Sequence, residues 1–187
     1  MADRAIILMG LRGSGKTTVG RLLAARLTRR FIDLDDQTLA ILGADHGVSS
    51  IAQAFKELGE TTFRRTEVDA LGRALKEASE EPAVISLGGG TPTAPGASAL
   101  LRECGALLVY LRYPPDVLAE RLRDQVDDRR PALTARGDPI AEIDEIFRAR
   151  DPRYRDLSSI AVEESGTPED VVRSLVDRLG LDAEATG

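Results

Sequence analysis

A chain of 187 residues with 42% hydrophobic and 30% charged residues is long enough for one domain with a real core. It is too short for two substantial domains, and the composition excludes disorder. A net charge of −6 argues against general nucleic-acid binding, no apolar run approaches the roughly 18 residues of a membrane span, and the lone Cys104 excludes an internal disulfide or a multi-cysteine metal site.

The N-terminal segment has a brief apolar run before a glycine and no small-residue cleavage site, so no signal peptide is expected and a cytoplasmic location follows by default. The first predicted element is a strand over 5–9, a continuous apolar run suited to burial on both faces. "GLRGSGKT" (10–17) follows, and Val19, Leu22, Leu23 and Leu27 then fall at helical spacing. Strand, glycine-rich turn and helix supply the context that the G-x-x-x-x-G-K-[ST] pattern requires. Gly13 and Gly15 permit a tight turn whose N–H groups converge on one anion, and the helix start adds its positive end. Lys16 places a point charge on the β- and γ-phosphates, and the Thr17 hydroxyl is placed to ligate Mg²⁺. With Ser14 and Thr18 these residues form the expected ATP-binding set. The segment reads as a P-loop, and ATP and Mg²⁺ are the expected cofactors.

A second strand is predicted over 31–34, ending in "DLD". Strand alternation would put Asp33 and Asp35 on one face and Leu34 in the core, with Asp36 as the N-cap of a helix over 36–42. "GADHGVSS" (43–50) reads as a mobile insertion before helices over 49–55 and 60–78. On the latter, Glu60, Arg64 and Glu67 share a face; an ordinary solvated ion pair is the plain alternative for Arg64. A strand over 83–87 runs into Gly88, Gly89 and Gly90, whose entropy cost points to close backbone approach, a generic loop being the alternative. Helix 96–103, strand 106–111 and helix 115–126 follow. The polar, arginine-rich segment 123–139 reads as a lid over phosphates. Helix 140–154, a weaker strand over 159–162, helix 168–179 and a frayed tail over 181–187 complete the chain. The alternation implies an α/β fold: a P-loop three-layer sandwich with about five parallel strands, sites at their C-terminal ends, and a single domain over 1–187. His46 reads as a solvated loop residue, Cys104 as packing, and Tyr110 and Tyr113 as structural.

"GLRGSGKT", "DLD", "GETTFRRTE", "SLGGGTPTAPG", "DDRRPAL" and "RARDPRY" occur in the order and approximate spacing found in shikimate kinases. The chain resembles that family from about residue 5 to residue 179. The P-loop alone is widely shared; the combination is much narrower. The resemblance implies ATP-dependent phosphorylation of the shikimate 3-hydroxyl, giving shikimate 3-phosphate and ADP on the chorismate route to aromatic amino acids. It implies a substrate-binding region over about 35–64. By position, Asp33 supports Mg²⁺, with Thr17 as direct ligand. Asp35 binds the shikimate hydroxyls and orients or deprotonates the attacking one. Arg64 and Arg150 grip the carboxylate, and Gly88, Gly89 and Gly90 approach the ring. Arg130 closes on the ATP phosphates, Arg123 stacks on adenine, and Pro168 forms the other side of that clamp. Lys16, Asp35 and Arg130 are thus the implied catalytic residues.

The chain departs from the family pattern in a longer 43–50 segment, in "RRPAL" where R-P-L-L is common, and in "VEESGTPED", which lacks the usual adenine-loop arginine. Gluconate is also a hydroxylated carboxylate, so a gluconate kinase is the alternative, ahead of a nucleoside monophosphate kinase. A nucleotide-binding module that had lost catalysis should show gaps at Lys16, Asp33, Asp35 or Arg130, and none is missing. A monomer is expected, with no nucleic-acid or membrane partner.

Overall fold

The computed structural model describes residues 4–124, 142–163 and 166–181. Among the described residues five strands form one sheet: β1 (Ile6–Met9), β2 (Arg30–Asp33), β3 (Ala83–Ser86), β4 (Leu107–Leu111) and β5 (Ile160–Val162). Their order is β2-β3-β1-β4-β5, and every pairing is parallel. β1, β3 and β4 are buried at every position, as their unbroken apolar sequences require of strands covered on both faces. The expected five-stranded α/β sandwich is the observed one.

Helices α1 (Lys16–Arg26), α2 (Leu34–His46), α3 (Ile51–Glu80), α4 (Ala97–Glu103), α5 (Pro115–Asp124), α6 (Ile143–Leu157) and α7 (Pro168–Leu179) cover the sheet. One core joins the strands to α1, the second half of α3, α6 and α7. A separate small cluster of Leu42, Val48, Ala54 and Phe63 sits between α2 and the first half of α3. The two halves of α3 meet at Gly59, whose backbone (φ 80°, ψ 163°) leaves the helical region. The sequence anticipates this break as two helices over 49–55 and 60–78.

Two expectations are overturned. Segment 43–50 is a loop only in its second half: α2 continues through His46 and ends at Gly47, whose left-handed backbone (φ 73°) caps it. Gly43 stays within the helix, and its carbonyl accepts the capping Gly47 N–H at 2.9 Å. The helix also begins earlier than predicted. Leu34 is already helical, Asp33 is the N-cap, and Asp33 Oδ1 accepts from the Asp35 N–H at 3.1 Å. Asp36 is therefore not the cap but an exposed first-turn residue. Among the described residues, no helix is long and apolar enough to cross a membrane.

Strand order does the positional work. The chain leaves β2, β3 and β1 at the same edge, so the carboxylates after β2, the three glycines after β3 and the turn after β1 lie side by side. Asp33 is in register with Ser86, and the Leu87 N–H continues the pairing to the Leu8 carbonyl at 3.0 Å.

Candidate active site

The turn after β1 has the backbone its glycines allow. Gly13 (φ 83°) and Gly15 (φ 82°) are both left-handed, a conformation costly for side-chain-bearing residues. Gly15 is the N-cap of α1 and brings no side-chain cap, and the first turn carries no acidic residue. The first N–H groups of α1 and its positive dipole end thus face the turn's concavity, a ready anion site. Lys16 Nζ donates to the Leu11 carbonyl at 3.0 Å and to Ser14 Oγ at 3.4 Å, which folds the side chain back over the turn. Ser14 is buried and Thr18 exposed.

Thr17 Oγ1 donates to Asp33 Oδ2 at 2.9 Å, joining α1 to the end of β2. Asp33 therefore has two tasks: Oδ1 caps α2 and Oδ2 holds Thr17. Asp35 belongs to the first turn of α2 rather than to a strand, so the alternation argument that placed it beside Asp33 does not hold. The site still receives it, by another route. A Cβ built on Gly88 would lie 2.5 Å from Asp35 Oδ1, 2.6 Å from Glu67 Oε1 and 3.0 Å from Thr91 Oγ1. Asp35 thus touches the glycine loop after β3, and that loop must be bare for it to do so.

The other glycines are bare for related reasons. A Cβ on Gly90 would fall 2.5–2.7 Å from the Arg64 guanidinium atoms, and one on Gly89 would meet the Arg12 amide nitrogen at 3.3 Å. Close backbone approach, rather than generic looping, accounts for the run.

Arg64 is not the solvated ion pair of the plain alternative. Its side chain is 18% exposed and donates to Glu67 Oε2 at 2.8 Å; Glu67 is itself 2% exposed, and the outer contact to Glu60 is longer, at 3.4 Å. Burial works against the charge on Arg64, but Glu67 and then Glu60 outweigh it and raise its pKa above the usual arginine value. Phe55 and Phe63 each lie 5.5 Å from its guanidinium carbon, restricting it further. Glu67 is fixed from the other side by the Thr91 hydroxyl, 2.6 Å from Oε1. The helical spacing exposes the Arg64–Glu67 pairing, but Thr91 as the far anchor has no sequence signal.

Arg150 projects from α6 and donates to the Gly89 carbonyl at 2.6 Å. Arg64, Arg150, Asp35 and the three glycines are therefore gathered in one place. Next to Arg150, Asp151 accepts from Tyr110 OH at 2.9 Å and from Arg112 Nε at 2.6 Å. Burial favours the neutral acid, but the Arg112 and Tyr110 hydrogen bonds and nearby positive charge win and hold Asp151 below the usual carboxylate range. Tyr110 has the structural role expected of it: it fastens α6 to β4.

Arg123 is exposed near the end of α5, and Pro168 opens α7, where Thr167 and Asp170 form a capping box. Arg130, most of the 123–139 lid and nearly all of the 181–187 tail lie outside the described residues. His46 is exposed, and Cys104 Sγ donates to the Leu101 carbonyl as a half-buried packing residue.

The arrangement offers an anion-binding turn beside a glycine loop on which the Asp35 and Glu67 carboxylates and the Arg64 and Arg150 guanidinium groups converge. The shikimate kinase family model matches residues 12–180. The chain belongs to the shikimate kinase family. The shikimate kinase of Neisseria gonorrhoeae is 38% identical over 174 residues, covering 93% of this chain and 95% of its own. That of Burkholderia thailandensis is 37% identical over 182 residues, covering 97% and 91%. Among solved structures, the shikimate kinase from Acinetobacter baumannii in complex with shikimate has a TM-score of 0.81 at 29% identity, covering 98% of this chain and 96% of that one. A gluconokinase from Sinorhizobium meliloti has a TM-score of 0.60 at 24% identity and shares the fold alone. As a member of the shikimate kinase family, the chain is an enzyme that phosphorylates shikimate with ATP.

Proposed function

We propose that the γ-phosphoryl group of ATP passes to the 3-hydroxyl of shikimate at the edge where β1, β2 and β3 end. The observation that carries this reading is the convergence on Gly88–Gly90 of Asp35, Arg64 and Arg150, directly beside the P-loop. A small ring with a carboxylate at one end and hydroxyls at the other needs such a site: forked cations for the first, an acceptor for the second.

The turn 10–17 holds the phosphates through its N–H groups, with Lys16 and, from the lid, Arg130 meeting the charge that shifts as the phosphoryl group moves. Asp35 accepts the hydrogen bond of the attacking hydroxyl and aims its oxygen at phosphorus. In a loose transition state the hydroxyl proton leaves late, so orientation is the larger part of that role. Arg64 and Arg150 hold the carboxylate, and Gly88, Gly89 and Gly90 let the ring approach the backbone. Arg123 and Pro168 are assigned to the adenine, and segment 35–64 to the acceptor side of the site. The assembly acts as a monomer in the cytoplasm.

Mg²⁺ fits the donor set. Thr17 offers a hydroxyl and Asp33 a carboxylate, 2.9 Å apart beside the phosphate turn. Among the described residues no cluster of three or more His, Cys, Asp or Glu could hold a metal on its own. One hydroxyl plus one carboxylate suits an ion that takes its remaining oxygens from nucleotide and water. When bound, Mg²⁺ supplies charge neutralisation on the β- and γ-phosphates.

The carboxylate assignment is tested by Arg64→Lys. A lysine keeps the charge but loses the planar fork and its bracing by Glu67, so KM for shikimate should rise about tenfold with KM for ATP within about twofold. An unchanged shikimate KM in steady-state kinetics would return Arg64 to a plain ion pair.

A further inference from the structure

Arg150 and Tyr154 stand one turn apart on α6, on the same face, and both reach the glycine loop some sixty residues earlier in the chain. Arg150 NH1 donates to the Gly89 carbonyl at 2.6 Å, and the Tyr154 hydroxyl donates to the same oxygen. A carbonyl oxygen has two lone pairs, so these two donors account for both. Tyr154 is fully buried, and its ring packs edge-on to Tyr110, with centroids 5.3 Å apart and planes at 85°. Tyr110 in turn is pinned by Asp151, which Arg112 Nε and Arg155 Nε hold at 2.6 and 3.1 Å. Tyr154 is thus a buried donor held by packing, while the oxygen it holds belongs to the middle residue of a run of three glycines.

That asymmetry gives the tyrosine a task. Arg150 has several donors, and one is committed to Gly89; the direction in which the rest of its guanidinium points is set by where the Gly89 oxygen stands and by the Tyr154 hydroxyl, which it also meets directly. A run of three glycines does not define that position by itself. We propose that Tyr154 is a positioning residue for substrate recognition: its hydroxyl fixes the Gly89 carbonyl, and the carbonyl aims Arg150 at the carboxylate of the acceptor. The inference rests on the assignment of Arg150 to that carboxylate.

Tyr154→Phe removes only the hydroxyl. The ring stays against Tyr110, and the Gly89 oxygen keeps the Arg150 donor, so no buried polar group is orphaned and the variant should fold. Wild type, Tyr154→Phe and Arg150→Ala are compared with shikimate and with shikimate methyl ester, which lacks the carboxylate charge. Tyr154→Phe should raise KM for shikimate about 3–10-fold, the change expected from one hydrogen bond of ordinary strength, with kcat and KM for ATP within about twofold. With the ester, the ratio of variant to wild-type KM should fall to about one, because there is no carboxylate left to aim at. A shikimate KM within about twofold of wild type, or an equal KM ratio for acid and ester, overturns the proposal. If Arg150→Ala raises the shikimate KM while Tyr154→Phe does not, the positioning role alone is lost. If Arg150→Ala leaves it unchanged, the assignment of Arg150 is wrong and the role of Tyr154 falls with it.

Discussion

Asp35→Asn is expected to lower kcat by roughly 10²–10³ while leaving ATP binding intact, the lower part of the roughly 10²–10⁴ that a positioned acid–base group contributes. The substitution keeps size and shape. The amide nitrogen is a donor where the attacking hydroxyl needs an acceptor, and whichever way the amide turns, the negative charge is gone. The α2 start should survive, because its cap is Asp33 and only the backbone N–H of residue 35 takes part. Thr17 likewise keeps its Asp33 partner. The loss therefore falls on turnover rather than on folding or on the nucleotide. Steady-state kinetics with a fluorescent nucleotide titration separates the two. A kcat within about threefold of wild type would remove Asp35 from the reacting centre.

Gly88→Ala should be nearly as damaging, although it adds a single methyl group and removes nothing. The new Cβ would stand 2.5 Å from Asp35 Oδ1 and 2.6 Å from Glu67 Oε1, both inside contact distance. Glu67 has little room to yield, held by Arg64 on one oxygen and Thr91 on the other. Displacing it moves Arg64 as well, so one methyl disturbs both ends of the acceptor site. A misplacement of about 1 Å in such a constellation costs about 10²-fold, and a fall of that size is expected in kcat/KM for shikimate. The touched atoms are side-chain ends, not sheet backbone, so the thermal transition should move by only a few degrees, as for roughly 1 kcal/mol. Near-normal kcat/KM for shikimate would mean that Asp35 and Glu67 do not need their present positions. A collapse of the fold would mean that the loop serves structure rather than substrate.

These two variants also show what sequence could and could not reveal. The phosphate turn was legible because its requirements are local: two left-handed glycines, a lysine and a hydroxyl at fixed offsets after a buried strand. The parallel sheet was legible because apolar strands alternate with amphipathic helices. The "DLD" segment misled because the rule of two holds only while a strand continues. Asp33 can instead turn its carboxylate onto the N–H two residues on, and that hydrogen bond starts a helix at Leu34. Asp36 lost the cap to Asp33 for the same reason. In 43–50 two glycines read as a loop, yet one lies inside the helix and only Gly47 ends it. Arg64 and Glu67 could be paired from helical spacing. Thr91 with Glu67, and Tyr154 with Gly89, could not, since 24 and 65 residues separate the partners and no periodicity links them.

The central claim is that this pocket selects shikimate as phosphoryl acceptor. Coupled ADP release should be followed with shikimate, gluconate and nucleoside monophosphates offered in parallel to the same enzyme with ATP and Mg²⁺. The account predicts turnover with shikimate at least about 10²-fold above the acceptor-free ATPase background, with the other acceptors near that background, since an unmatched hydrogen-bonding site rejects its analogues strongly. Shikimate turnover no higher than background, or gluconate used better than shikimate, would contradict it.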